Sequence, residues 1–479
     1  MKILYTILFS LLSLSASAQA WPQPPALEPM EREIRAVWLC TLGGMDWPGR
    51  TYANTPERTE KQKADLCRQF DQLQAAGINV ILFQTRIRGT VIYPSLYEPW
   101  DGAISGKPGV APPYDPLAFA VQEAHKRGME LHAYVVAYPL CTVSQAKQLG
   151  KKSITAQHPE LCQRCGDRWF MDPGMPGTAA YIAGICEEIV ENYDVDGIHL
   201  DYIRYPEKDF SFNDNTAYRK YGNGMSKNQW KRDQVTYTVK MVHDVVKAIR
   251  PWVKISCSPV GKYADLPRAN SYGWNARDAV FQDAQLWLEK NYMDWLFPMM
   301  YFDGKHFYPF AANWQQESYG HPVIPGLGIY FLSPREKDWD LVTITRQMNV
   351  LRQLGIGGQA FFRSQFLLEN QKGLYDFCKN FYRQPALTPP MTWVDNNPPA
   401  APNVKTERDD KYIMHLTWNA VKDASPIVYN IYRKTKLGDI EMIAHHLKAT
   451  HFDYAPYVPA HINDSIFVKA MDAYGNESL

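Results

Sequence analysis

At 479 residues the chain is too long for one small core, so two or three domains are expected, fewer if one is a closed α/β barrel of about 250 residues or more. Lys plus Arg total 51 against 50 acidic residues, a net charge of +1, so no large electrostatic field is implied, which argues against nucleic acid as the main partner because such binding needs a basic surface to displace counterions. Aromatic residues reach 13%, many at predicted strand ends, where flat rings suit the apolar faces of sugars but serve equally as core filler.

The first twenty residues read as a signal peptide. Lys2 is the short positive region, Ile3 to Leu14 the apolar core, and Ala16-Ser17-Ala18 or Ala18-Gln19-Ala20 the small-residue cleavage site. The apolar run is too short to span a bilayer and no other stretch reaches that length, so the expectation is an exported protein, periplasmic or secreted, with no membrane span.

From residue 21 to 383 one grammar recurs: a helical run, a Gly that stops it, then an apolar strand. Gly77 before Ile78 to Gln84 and Gly128 before Met129 to Tyr134 are two instances. Strands are predicted near 34–42, 78–84, 129–137, 196–201, 253–258, 294–301, 323–330 and 356–362. Helices are predicted over 57–76, 115–127, 175–193, 228–250, 275–290 and 338–354. Eight strands alternating with helices predict an α/β chain folded as a (β/α)8 TIM-type barrel, and no Gly-rich phosphate fingerprint follows the first strand. The loops 85–114, 138–174 and 202–227 are long and would build a cleft on one rim.

Asp196 to Pro206, Asp-Gly-Ile-His-Leu-Asp-Tyr-Ile-Arg-Tyr-Pro, is the stretch richest in chemistry. Strand side chains alternate, so His199 and Asp201 share one face and Ile198 and Leu200 the other. In a parallel barrel the carboxyl end of a strand is where catalytic groups sit, which makes Asp201 the leading catalytic candidate. A structural ion pair with Arg204 is the plain alternative.

The eight cysteines are too few for a disulfide scaffold in a chain of this length. Cys162-x-x-Cys165 has no second pair to complete a zinc site and sits in a polar, loop-like segment, so it reads as a loop disulfide or two free thiols. No metal or cofactor is called for. Residues 384–402 carry six prolines and read as a linker. Residues 403–479 show short alternating strands such as Ile413 to Trp418 and Tyr429 to Arg433, expected of a small all-β immunoglobulin-like sandwich left one strand short.

Several ordered segments carry a resemblance: Glu33 to Trp38, Tyr93-Pro94-Ser95 with Glu98-Pro99-Trp100, Tyr114 to Leu117, Glu123 to Gly128 with His132-Ala133, Asp196 to Pro206, Asp294 to Tyr301, and Gly355 to Gly358. Over about 32–382 the chain resembles the glycosyl-hydrolase-like family 10 proteins, bacterial envelope proteins on a (β/α)8 fold, and its tail is similar to a fibronectin type III module. The resemblance implies hydrolysis of O-glycosidic bonds in a polysaccharide, with peptidoglycan glycan strands one such substrate. Two departures stand out: Thr90 where many relatives have an acidic residue, and Tyr134 after His132-Ala133 where Trp is commoner.

Glycoside hydrolysis ordinarily uses two carboxyl groups, one ionised and one protonated. Asp201 is expected to be the ionised one, with His199 and Arg204 as the positive charge that keeps it so. The fourth strand is similar to the amylase-type strand whose Asp is the nucleophile, but strand five ends Ser256-Cys257-Ser258 without the Glu that group uses as acid. The acid is therefore sought in Asp303 after strand six, in Glu98 among aromatics on the second loop, or in Asp46 after strand one. His132 and His199 are candidates to bind sugar hydroxyls or to orient Asp201, Arg204 is a further candidate substrate contact, and for His132 an inward-facing core histidine is the plain alternative. Trp38, Trp100, Tyr205, Trp274 and Tyr301 are candidate sugar platforms. The absence of a strand-five Glu leaves open a carbohydrate-binding barrel without hydrolytic power.

Overall fold

The computed structural model describes residues 30–207, 210–455 and 464–479. The predicted signal peptide lies outside them. Among the described residues, no helix is long and apolar enough to cross a membrane.

Eight parallel strands form one sheet: β1 (Ile34–Leu39), β2 (Val80–Arg86), β3 (Glu130–Val136), β4 (Gly197–Asp201), β5 (Lys254–Cys257), β6 (Trp295–Leu296), β7 (Gly326–Leu327) and β8 (Gly358–Phe361). Consecutive strands are neighbours, and β8 pairs with β1. Main-chain bonds from Ile324 N to Leu296 O (2.8 Å), Gly326 N to Pro298 O (2.8 Å) and Met300 N to Gly326 O (3.1 Å) join the β6 and β7 segments and close the cylinder. This is a TIM-type barrel.

Local signals account for the alternation. Helix Pro56–Ala75 starts at a Thr55 cap that accepts from Arg58 N, and helix Pro116–His125 starts at Asp115, which accepts from Leu117 N and Ala118 N. Gly77 and Gly128, at φ +82° and +66°, end these helices in a left-handed turn that a side chain would resist, and β2 and β3 follow at once. The predicted helix over 275–290 is two short ones, Ala276–Ala279 and Ala284–Glu289. Phe281 at φ +64° interrupts them, and the buried Gln282 side chain turns to accept from Val260 N. Helices Tyr308–Gln316 and Leu374–Phe381 complete the outer ring and were not predicted.

Alternate residues fill the cylinder: Ala36, Trp38 and Cys40 from the β1 segment, Leu82, Tyr134, Val136, Phe297 and Ala360 from the others. The opposite faces, Val37, Leu39, Ile81, Phe83, Leu131, Ala133, Ile198 and Leu200 among them, pack against the helices.

The C-terminal part forms two three-stranded antiparallel sheets around Leu416, Trp418, Tyr429, Ile431, Val468 and Ala470. It rests on the amino-terminal end of the barrel, with Arg32 paired to Glu477 at 3.1 Å and Lys448 to Asp194 at 3.5 Å. The Pro-rich segment read as a linker is packed rather than loose. Leu387 exchanges main-chain bonds with Glu31 and Glu33, Thr388 donates to Glu130 at 2.6 Å, and Met391 is fully buried.

Candidate active site

Asp201 ends β4 on the inner face, at the carboxyl rim, and is 6% exposed. Three donors hold its carboxylate. Tyr134 Oη donates to Oδ2 at 2.6 Å, Ser258 Oγ to Oδ1 at 2.8 Å, and the Tyr202 main-chain N–H to Oδ1 at 2.7 Å. Burial and the neighbouring Asp201 charge push the Tyr134 phenol far above its ordinary range, so it stays a proton donor. Tyr202 follows at φ +51°, an uncommon conformation for a bulky residue and one that concentrates at functional sites.

His199 lies one layer below, and its ring nitrogens are spent on Trp38 and Ser256 rather than on Asp201. The Trp38 indole N–H, a donor only, gives to His199 Nε2 at 3.1 Å, so Nε2 is an acceptor and Nδ1 carries the proton toward Ser256 Oγ at 3.0 Å. Burial drives its pKa well below the ordinary value, so this imidazole is neutral and is not the counter-charge expected of it. Arg204 is not either. It pairs with Glu207 at 2.7 Å and lies between the rings of Tyr202 and Trp274, at 4.5 and 5.4 Å from their centroids. Arg88, half-buried, lies near enough to feel the charge of Asp201, although burial and Arg168 lower its pKa on balance.

His132 is further down. It pairs in register with Gly197, whereas Asp201 pairs with Val136, a separation of four residues or about 13 Å along the strand. It stacks on Trp295 at 5.3 Å and meets Glu130 at 3.0 Å, a core histidine of the barrel floor. A side chain at Gly197 would lie 2.4 Å from its Nδ1, so the glycine makes room for the ring.

The expected acids divide sharply. The Glu98 side chain is 0% exposed and locked in a two-point pair with Arg86 (2.9 and 2.5 Å), with Tyr181 at 3.4 Å, so neither oxygen faces a cleft. Asp303 is exposed and caps a short turn by accepting from Gly304 N at 2.7 Å. Asp46 is different. Its buried carboxyl accepts from Cys40 N at 2.7 Å and from Gln365 N at 3.3 Å and is ion-paired with Arg363, yet burial raises its pKa despite that cation. The Cys40 thiol feels both Asp46 and Asp201, and burial together with these charges pushes it far up. Arg363 follows β8, the strand opposite β4 across an eight-stranded cylinder. Thr90 donates to Asp101 at 2.7 Å, a role that needs no carboxylate there.

Of the candidate platforms, Trp38 and Tyr205 are core residues, the latter set against Phe212 and Phe281. Trp100 is half-buried on the second loop. Trp274, 44% exposed, and Tyr301, half-buried against Tyr330 and Phe362, line the rim. A cavity of about 540 Å³ opens between the loops after β7 and β8, walled by Glu336, Arg363, Gln365 and Phe366. Tyr134 and Ser258 were not foreseen as site residues. Ser258 has the signal that marked Asp201, a polar residue at a strand end in the inward parity. The Cys162–Cys165 segment forms a short strand of a rim hairpin sheet rather than a loop, and both thiols are free.

The glycosyl hydrolase-like 10 family profile matches residues 33–323. The chain is 31% identical over 401 residues to glycosyl hydrolase YngK of Bacillus subtilis (strain 168), covering 80% of this chain and 78% of that one. It is 33% identical over 301 residues to glycosyl hydrolase DigH of Escherichia coli (strain K12), covering 59% of this chain and 69% of that one. Among solved structures, the PgaB (BpsB) glycoside hydrolase domain of Bordetella bronchiseptica aligns with a TM-score of 0.49 at 14% identity, over 74% of this chain and 99% of that one.

Proposed function

Because the chain belongs to the glycosyl hydrolase-like 10 family and is a glycoside hydrolase, we propose that it is exported and cleaves O-glycosidic bonds of a cell-wall polysaccharide at the carboxyl rim of its barrel. The observation that carries the reading is the Asp201 carboxylate at the end of β4, held by Tyr134, Ser258 and the Tyr202 N–H. Donors aimed at both oxygens fix the direction of the carboxylate, which suits a nucleophile or general base.

Asp46 is the second carboxyl its surroundings favour. Its raised pKa fits a group that keeps a proton to give to a leaving oxygen. Its side chain is 0% exposed, and its β8-loop neighbours, Arg363 and the Gln365 N–H, belong to residues that wall the rim cavity, so a saccharide there reaches it only when that wall opens. Trp274 and Tyr301 serve as platforms for sugar faces. The C-terminal sheets are an immunoglobulin-like sandwich of the fibronectin type III kind, a spacer rather than a part of the site.

The test is release of reducing ends from denuded peptidoglycan and a panel of other glycans by the full chain. Turnover on a cell-wall glycan is the expected result. Binding of these glycans with no turnover on any of them overturns the reading in favour of a barrel that holds carbohydrate without cutting it.

A further inference from the structure

At the end of the barrel away from Asp201, where the αβ loops, the segment after helix Leu374–Phe381 and the C-terminal sheets meet, lies a hollow of about 230 Å³. Arg35, Arg127, Lys379, Arg383 and His445 line it, and no Asp or Glu does among the described residues. That volume is below the ~300–1,000 Å³ of pockets for organic ligands of drug size, so an occupant is small.

The charges around it do not cancel. Glu33 is shared between two guanidinium groups, Arg35 at 2.8 Å and Arg352 at 2.7 Å, which leaves one positive charge over. Arg127 is answered by Asp71 and Glu123. Lys379 and Arg383 are exposed, and no salt bridge is found for either among the described residues. Arg35 contributes a buried positive charge to the same end of the barrel. Its side chain is 1% exposed, its Nε and Nη1 are engaged by Glu33 and the Gln384 carbonyl, and its Nη2 has no hydrogen-bond partner. A buried guanidinium N–H without an acceptor is costly and uncommon, so this cation sits behind the wall of the hollow, against the Tyr382 ring, with its charge incompletely answered. His445 closes one side, its ring so near Gly128 that a side chain there would lie 2.5 Å from it. Its Nδ1 is taken by His446 at 2.9 Å.

We propose that this hollow is a binding site for a phosphate group, free or as a monoester. The exposed Arg383 fork matches a tetrahedral oxyanion through paired N–H donors, Lys379 adds charge from the open side, and Arg35 adds it from behind the wall. Because the barrel base and the C-terminal sheets both wall it, an occupant would also brace their contact. This site is separate from Asp201 and does not depend on the glycosidase reading.

Calorimetric titration of the full chain at constant ionic strength tests it, with inorganic phosphate and glycerol 3-phosphate as probes. Saturable binding of phosphate is expected, weakened roughly tenfold in the Lys379→Gln/Arg383→Gln double variant, whose changes fall on exposed side chains. Binding of both probes marks a site for esters, and binding of inorganic phosphate only marks a site for the free ion. Either supports the assignment. No saturable binding of either probe, or equal affinity in the double variant, overturns it.

Discussion

Tyr134 reaches from β3 to the carboxylate that ends β4, donating its phenol proton to Asp201 Oδ2 at 2.6 Å. A residue of the neighbouring strand thus holds the candidate catalytic group. Tyr134→Phe removes a hydrogen bond to a charged acceptor, worth about 1.5–3 kcal/mol. Expressed in kcat/KM, this predicts a loss of about 10- to 100-fold with an intact fold. Steady-state kinetics and a circular dichroism melt check it, and an unchanged kcat/KM counts against Asp201 as the reacting carboxylate.

Glu98 separates a structural carboxylate from a catalytic one. Glu98→Gln leaves Arg86 buried with its charge uncompensated, a change that costs about 3–5 kcal/mol when a buried pair is broken. A large fall in denaturation midpoint is expected, with activity per folded molecule retained. A stable variant that has lost activity would restore Glu98 as the acid.

The raised pKa of Asp46 gives a pH signature. The unfolded chain titrates this group near the ordinary value of about 3.9, while the folded chain holds the proton to higher pH. Between the two values the native state binds more protons, so its stability falls as pH rises through that window and is level above it. Asp46→Asn removes this contribution. Its Tm should therefore decline less than that of the wild type as pH is raised from about 4, and kcat/KM should lose its alkaline limb if Asp46 is the proton donor. Parallel Tm curves contradict the assignment of a raised pKa.

Trp274 stands on the rim with Arg204 against its ring. As a sugar platform it is worth about 0.5–1.5 kcal/mol, so Trp274→Ala should raise KM about 2- to 12-fold with kcat nearly unchanged. An unaltered KM removes Trp274 from the substrate path.

The barrel was legible because its signals are local: Gly77 and Gly128 at helix ends, the apolar runs that follow them, and the alternation of Ile198 and Leu200 with His199 and Asp201 in β4. The break in the 275–290 helix was not, since Gln282 is pulled out of it by Val260, a long-range hydrogen bond that no window of sequence contains. Asp201 was readable from strand parity and position. The partners of charged groups were not. Arg204 lies three residues from Asp201 in sequence yet pairs with Glu207, while Arg88, from another strand's loop, supplies the nearby charge. Glu98 read as a loop carboxylate among aromatics because its Arg86 partner, twelve residues earlier at the end of a strand, gave no sign that it turns back to meet it.

The central claim is that Asp201 does the chemistry. It is met most directly by comparing wild type and Asp201→Asn on the glycan that gives the fastest release of reducing ends, measuring turnover and binding in the same preparation. Loss of a positioned acid–base or nucleophilic group predicts a fall in kcat of about 10²- to 10⁴-fold with affinity kept within a few-fold. Turnover by Asp201→Asn at the wild-type rate would contradict the account.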